Sequence, residues 1–256
     1  VSLLETRGIS KNFGGVRAVH GLSIKADEGS IVSLIGPNGA GKTTAFNLIS
    51  GIYPLDAGEV FLDGRLLSGK SQHAITREGV GRTFQNIRLF KGLSCLENVM
   101  TAYDHRMRYT LPEALFRLPR RGSEEKAARL DCMKALELVG LGGAADERPE
   151  NLPYGLQRKL ELARALATGP RILLLDEPAA GLNPSEVEEF IRLIRRINGD
   201  LGLTVLLIEH RMRMVMSLSK WVYVMNFGEL LAEGRGSEIM ANPAVISAYI
   251  GEEELC

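Results

Sequence analysis

The sequence predicts an α/β fold, a largely parallel sheet interleaved with helices, on three observations. Three runs are short, apolar and near-continuous: Ile172-Leu173-Leu174-Leu175, Thr204-Val205-Leu206-Leu207-Ile208 and Val222-Tyr223-Val224-Met225. Each suits a strand buried on both faces. Between them, Leu156, Leu160, Ala163 and Leu166, and then Val187, Phe190, Ile191, Ile194 and Ile197, recur at helical spacing. Reactive side chains also stand just past the strand ends. Lys42 closes a glycine-rich loop after one run, Asp176 and Glu177 follow Leu175, and Glu209 and His210 follow Ile208. In an open parallel sheet, ligands bind beyond the carboxyl ends of the strands. Lys42, Asp176, Glu177 and His210 are therefore expected at one edge.

The elements follow in chain order. Segments 3–9, 16–24 and 30–35 alternate in hydropathy and turn at glycines, so they read as short strands. Gly36-Pro37-Asn38-Gly39-Ala40-Gly41-Lys42-Thr43 then fits GxxxxGK[ST] and passes into Thr44 and an apolar segment, 45–49, that reads as a helix. Glycines let backbone N–H groups close on phosphates, and the helix N-terminus adds its positive end. Lys42 would bridge the β- and γ-phosphates, and the Thr43 hydroxyl suits Mg²⁺. Residues 90–150 differ. Segment 124–139 reads as a helix with Ala127, Leu130, Met133, Leu136 and Val139 as its apolar positions. A basic stretch from Leu111-Pro112 to Pro119-Arg120-Arg121-Gly122 precedes it. Pro112, Pro119 and Pro149 should interrupt any long helix, and the Arg pair reads as a solvated turn in preference to a phosphate site. This part reads as a helical lobe inserted into the core.

Composition narrows the function. With 256 residues, 45% hydrophobic and 28 Gly, a sizeable core with many tight turns is expected. The formal net charge of +0 argues against a broad nucleic-acid footprint. Cys95, Cys132 and Cys256 are odd in number and show no CxxC spacing, which suits a reducing cytosolic compartment. The N-terminal segment lacks signal-peptide features. No apolar run approaches the ~18 residues of a membrane span. The chain is expected to be soluble by itself, which does not exclude docking onto a membrane protein.

Together these landmarks resemble the ATP-binding subunits of ABC transporters, over nearly the whole chain. Phe13 matches the aromatic that stacks on adenine, and 36–44 the P-loop. Gln85, in Arg82-Thr83-Phe84-Gln85-Asn86, matches the Q-loop glutamine. Leu152-Pro153-Tyr154-Gly155-Leu156-Gln157 stands where the LSGGQ signature belongs. Segment 172–178 matches Walker B with its catalytic glutamate, Gly181-Leu182-Asn183-Pro184 the D-loop, and His210 the switch histidine. The resemblance implies a P-loop NTPase core with an N-terminal antiparallel β-subdomain and an inserted α-helical subdomain. Within one ABC ATPase domain, the core is expected at 1–88 and 160–235, the helical subdomain at 89–159, and a C-terminal helical tail at 236–256.

It also implies roles. ATP and Mg²⁺ are the expected cofactors. Phe13, Gly36, Pro37, Asn38, Gly39, Ala40, Gly41, Lys42, Thr43 and Thr44 would bind the nucleotide, and Pro153, Tyr154 and Gly155 would contact it across a dimer. Thr43, Gln85 and Asp176 would hold the metal. Glu177, His210 and Gln85 would carry hydrolysis: Glu177 facing the attacking water, His210 the γ-phosphate. Finer motifs look like the longer of the two ATPase subunits of branched-chain amino-acid importers: 82–90, 178–184, 208–210, the tail 242–251 and the extra residues after Met100. That likeness implies a second ATPase subunit and transmembrane permease subunits as partners, and indirectly a periplasmic or extracellular substrate-binding protein. It also implies a peripheral place on the cytoplasmic side of the plasma membrane. An ABC exporter ATPase of the lipopolysaccharide type and a soluble non-transport ABC ATPase are the alternatives. Three positions depart from the family pattern: Pro153 replaces the signature serine, Asn183 the common D-loop aspartate, and Arg211 the aspartate usual after the histidine.

Overall fold

A computed structural model of the chain describes residues 2–107 and 119–253. The chain forms two compact units, Val1–Arg82 with Arg171–Cys256, and Thr83–Pro170.

The first unit, the core, contains two sheets. Strands β1 (Ser2–Phe13), β2 (Val16–Leu22), β3 (Lys25–Asp27), β5 (Ala57–Leu62) and β6 (Arg65–Leu66) make a five-stranded sheet in the order β2-β1-β5-β6, with β3 also paired to β1. All its pairings are antiparallel. The other sheet joins β4 (Ile31–Ile35), β7 (Val80–Arg82), β8 (Ile172–Asp176), β9 (Thr204–Ile208), β10 (Trp221–Asn226) and β11 (Glu229–Gly234). Its order is β11-β10-β4-β9-β8-β7, parallel throughout except for β10 with β11. β4, β8 and β9 are buried at every residue, which is why their sequences run apolar without alternation.

Helix α1 (Lys42–Ile49) follows β4 and anchors the loop before it by burying Ala45, Phe46, Leu48 and Ile49. Phe46 is fully buried, a contribution of about 1.5–3 kcal/mol. α2 (Gln72–Glu78) precedes β7. The stripe Val187, Phe190, Ile191, Ile194 and Ile197 forms the buried face of a helix that spans Pro184–Leu201. Three further helices, Met212–Leu218, Gly236–Met240 and Pro243–Glu253, lie towards the C-terminus. Ile239 and Val245 from the last two join a core cluster with Ile35, Val215, Val222 and Val224. The tail thus packs behind the strand that leads into the phosphate loop.

The second unit is helical: α3 (Cys95–Tyr103), α4 (Pro119–Leu138) and α5 (Tyr154–Ala167), followed in chain order by α6 (Pro184–Leu201), α7 (Met212–Leu218), α8 (Gly236–Met240) and α9 (Pro243–Glu253) of the core. Three sequence readings need correction here. α4 is already helical at Pro119, ahead of the 124 read from the sequence. Arg120 and Arg121 therefore lie on a helix, not in a turn, and pair with Glu124 and Glu125 four residues on. Ala127 and Leu130 are exposed; Ala128, Cys132, Ala135, Leu136 and Val139 form the buried face. Unit 2 runs from Thr83 to Pro170, and α5 continues unbroken to Ala167. Residues 236–256 belong to the core unit. Most of the basic stretch, Pro112 included, lies outside the described residues, as does Cys256.

Candidate nucleotide site

The loop after β4 is shaped by two close backbone approaches. Gly36 has φ 149°, and a Cβ there would lie 2.1 Å from the Met225 carbonyl oxygen. Gly41 has φ 97°, and its Cβ would lie 2.2 Å from the Ala18 carbonyl oxygen. Only glycine fits either place. The loop is thereby pressed between β10 and β2. Gly41 is also the N-cap of α1, with no side-chain cap and no acidic residue in the first turn. The positive end of this helix is left to an external anion. Lys42 is buried inside the loop, its Nζ donating to the carbonyls of Gly36 at 2.7 Å and Pro37 at 2.6 Å. Thr43 is exposed and Thr44 half-buried at the same turn.

The ends of β8 and β9 supply the carboxylates and the histidine. Asp176 is buried, and its Oδ2 accepts from Arg82 Nη2 at 3.0 Å. Burial pushes its pKa up; the Arg82 guanidinium opposes this, Glu177 adds to it, and Lys42 opposes it. Arg82 also donates to Asn47 Oδ1 and Ser50 Oγ, tying the end of β7 to α1. Glu177 has φ 46°, an uncommon conformation for a residue with a side chain. Its amide donates to the Ile208 carbonyl, which fixes it against the adjacent strand end. Its Oε1 lies 2.6 Å from His210 Nε2. Glu209, 3% exposed, accepts from the amides of Ala179, His210 and Arg211. It pins the turn after β8 to the turn after β9. Arg211 donates to the Leu182 carbonyl. Asn183 caps α6: its Oδ1 accepts from the Glu186 amide, and Glu186 returns a bond to the Asn183 amide.

Phe13 ends β1 and meets Tyr53 edge-on, with ring centroids 5.2 Å apart. It is partly exposed, on the β1–β2 hairpin whose Ala18 presses on Gly41.

The structure thus brings Lys42, Asp176, Glu177 and His210 to one edge of the core sheet, as the strand ends predicted, with Thr43 next to Lys42 in the first turn of α1. The second unit holds a separate cluster. Pro153 is the exposed N-cap of α5, with φ −51°, and no side chain caps this helix. Tyr154 is exposed and Gly155 buried in its first turn. Gln85 is exposed, and its backbone carbonyl accepts from Arg158 Nη2 at 2.7 Å. Arg82, Glu209 and Arg158 were missed as supporting residues. Buried charges carry no periodic signature; the one available signal was a charged residue inside an otherwise apolar segment.

Comparisons with known proteins agree with this geometry. A family profile described as ABC transporter matches residues 19–180. One described as branched-chain amino acid ATP-binding cassette transporter matches 229–254, the tail from β11 to α9. The chain is 45% identical over 250 residues to the high-affinity branched-chain amino acid transport ATP-binding protein BraF of Pseudomonas aeruginosa, covering 98% of each. It is similar to the ADP conformation of MJ1267, an ATP-binding cassette of an ABC transporter, at TM-score 0.86 and 31% identity over 98% of this chain and 99% of that one. It is also similar to MJ0796 in a dimeric post-hydrolysis state bound to ADP and Pi, at TM-score 0.74 and 26% identity over 91% and 98%. The chain therefore belongs to the ABC transporter family of ATP-binding proteins, in the group of branched-chain amino acid transport.

Proposed function

We propose that this chain hydrolyses ATP to drive an importer of branched-chain amino acids, as one member of a head-to-tail ATPase pair on membrane subunits. The observation that carries hydrolysis is the 2.6 Å contact between Glu177 and His210 beside the Gly36–Thr43 loop. Glu177 accepts the proton of the attacking water, a role worth about 10²–10⁴-fold in rate. His210 orients Glu177 here and would turn that same N–H to the γ-phosphate when nucleotide is bound. Loop amides, Lys42 and the start of α1 neutralise the phosphates. Phe13 offers a ring face to adenine.

The donor chemistry here fits Mg²⁺. Hydroxyl and carboxylate oxygens are available from Thr43 and Asp176 in the core unit. Mg²⁺ shared with the nucleotide would neutralise developing charge on the phosphates. Among the described residues, no helix is long and apolar enough to cross a membrane. That suits a peripheral subunit on the cytoplasmic face. The likeness to MJ0796 supports pairing of two ATPase chains, and Pro153, Tyr154 and Gly155 would then face the nucleotide of the other chain. The substrate class rests on the full-length likeness to BraF.

The test is uptake by the reconstituted complex. ATP-dependent transport of leucine, isoleucine or valine, lost with Glu177→Gln, is the expected result. A complex that hydrolyses ATP but moves none of them would overturn the substrate class.

A further inference from the structure

The helical unit contains a buried ion pair that hydrolysis as described does not use. Arg158, one turn into α5, and Glu161 have side chains only 3% and 6% exposed. Arg158 Nη1 donates to the Phe84 carbonyl at 3.2 Å and to Glu161 Oε2 at 3.3 Å. Its Nη2 donates to the Gln85 carbonyl at 2.7 Å and to the Tyr154 hydroxyl at 2.8 Å. Glu161 Oε1 accepts from the Phe84 amide at 3.2 Å. The pair therefore grips the backbone of 84–85 by both of its polarities. The same guanidinium holds the phenol of the first residue of α5.

Net stability is a weak reason for this arrangement. Burial pushes the Glu161 pKa up, and the Phe84 amide and Arg158 only partly offset that. Buried ion pairs are often replaceable by apolar residues without loss of stability. Few side chains other than arginine, with its rigid fork of donors, bridge two carbonyls, a carboxylate and a phenol together.

We propose that Arg158 is a positioning residue that locks the Gln85 segment to the first turn of α5, so that the two move as one piece. The proposal rests on the reading of Gln85 as a contact of this chain's own ATP site and of Tyr154–Gly155 as contacts of the partner's. A shift of the α5 tip on closing over the partner's nucleotide then moves the Gln85 backbone through one side chain. Each site senses the other.

The test uses two variants. Arg158→Met with Glu161→Gln removes both charges, fills the space and keeps an acceptor for the Phe84 amide. Arg158→Lys keeps the charge and loses the fork; it carries the test alone if the double variant does not assemble. In the reconstituted transporter, kcat should fall about tenfold or more, since displacements of about 1 Å cost up to 10²-fold. The Hill coefficient for ATP should fall towards about 1 as the sites uncouple. In the isolated chain, ATP affinity should stay within about twofold, because the phosphate loop lies in the other unit. Amides 84–86 should exchange faster with solvent in the double variant. Unchanged kcat and Hill coefficient in both variants, even with faster exchange, would overturn the proposal and leave the pair as packing. A Gln85→Ala complex with wild-type kcat would overturn the underlying reading of Gln85 and the proposal with it.

Discussion

Around Lys42 the contacts that set geometry are all made to main-chain carbonyls. Two glycines press on the carbonyls of Met225 and Ala18, and the lysine itself bonds carbonyls of its own loop. Around Tyr154 the contacts run from a single guanidinium to two carbonyls, a carboxylate and a phenol. The phosphate edge is rigid because close-packed backbone has no alternative rotamer. The signature end is held by long side chains that lose their grip with one substitution. A site that must hold phosphates in one geometry suits the first construction. A surface that must engage and release a partner suits the second.

Breaking the main-chain construction should have the largest effect. Gly41→Ala places a Cβ 2.2 Å from the Ala18 oxygen at a left-handed φ. The cost should exceed about 3 kcal/mol, with loss of measurable ATP binding in a nucleotide titration. Arg82 is where the core unit uses the other strategy, and it comes next. Arg82→Met removes the guanidinium from Asp176, whose side chain is 1% exposed. Chemical denaturation should show a loss of about 3–5 kcal/mol, with Arg82→Lys recovering part of it. Stability close to wild type would show that the Asp176 geometry is set by the main chain as well.

Glu177→Gln should retain ATP affinity and slow hydrolysis by at least ~10²-fold, about 2.7 kcal/mol in the barrier. Near-wild-type turnover in the reconstituted complex would remove Glu177 as the base. The smallest expected effect lies at the signature end. Pro153→Ser gives α5 the side-chain cap it lacks, worth about 0.5–2 kcal/mol. It also restores a hydroxyl donor towards a partner's phosphate. ATP-dependent pairing of the Glu177→Gln protein, followed by size-exclusion chromatography, should strengthen by about tenfold. No change in pairing would make Pro153 a neutral replacement.

The same contrast explains what was legible in the sequence. Backbone constraint leaves glycines at fixed offsets, so Gly36 to Thr43 could be read directly. Strands buried on both faces leave apolar runs, so β4, β8 and β9 and the side chains past their ends were readable too. The antiparallel sheet was readable only through the family likeness and its glycine turns. Side-chain constraint leaves no such trace: Arg82, Glu209, Arg158 and Glu161 look like ordinary charges in a line of letters. α4 was misread as well. Its buried face runs through Ala128, Cys132, Ala135 and Leu136, so the stripe read from Ala127 and Leu130 began on the exposed side and met the buried face only at Leu136 and Val139. Asn183, a departure from the family pattern, turns out to cap α6, a task that asparagine and aspartate perform equally well.

The conformation of Glu177 bears on how such a site would decay. A left-handed φ of 46° costs a bulky residue of order 1–3 kcal/mol, and asparagine or glycine relieves most of it. Replacement of Glu177, the proposed base, would therefore bring heat resistance. Glu177→Gly or Glu177→Asn should melt higher than the wild-type chain while turning over no ATP, and a lower melting temperature would deny the strain. In a transporter with two unequal ATP sites, a lineage released from selection on one glutamate would drift towards those small residues first. The identity of the residue at this strand end would then serve as a record of which half of the machine still works.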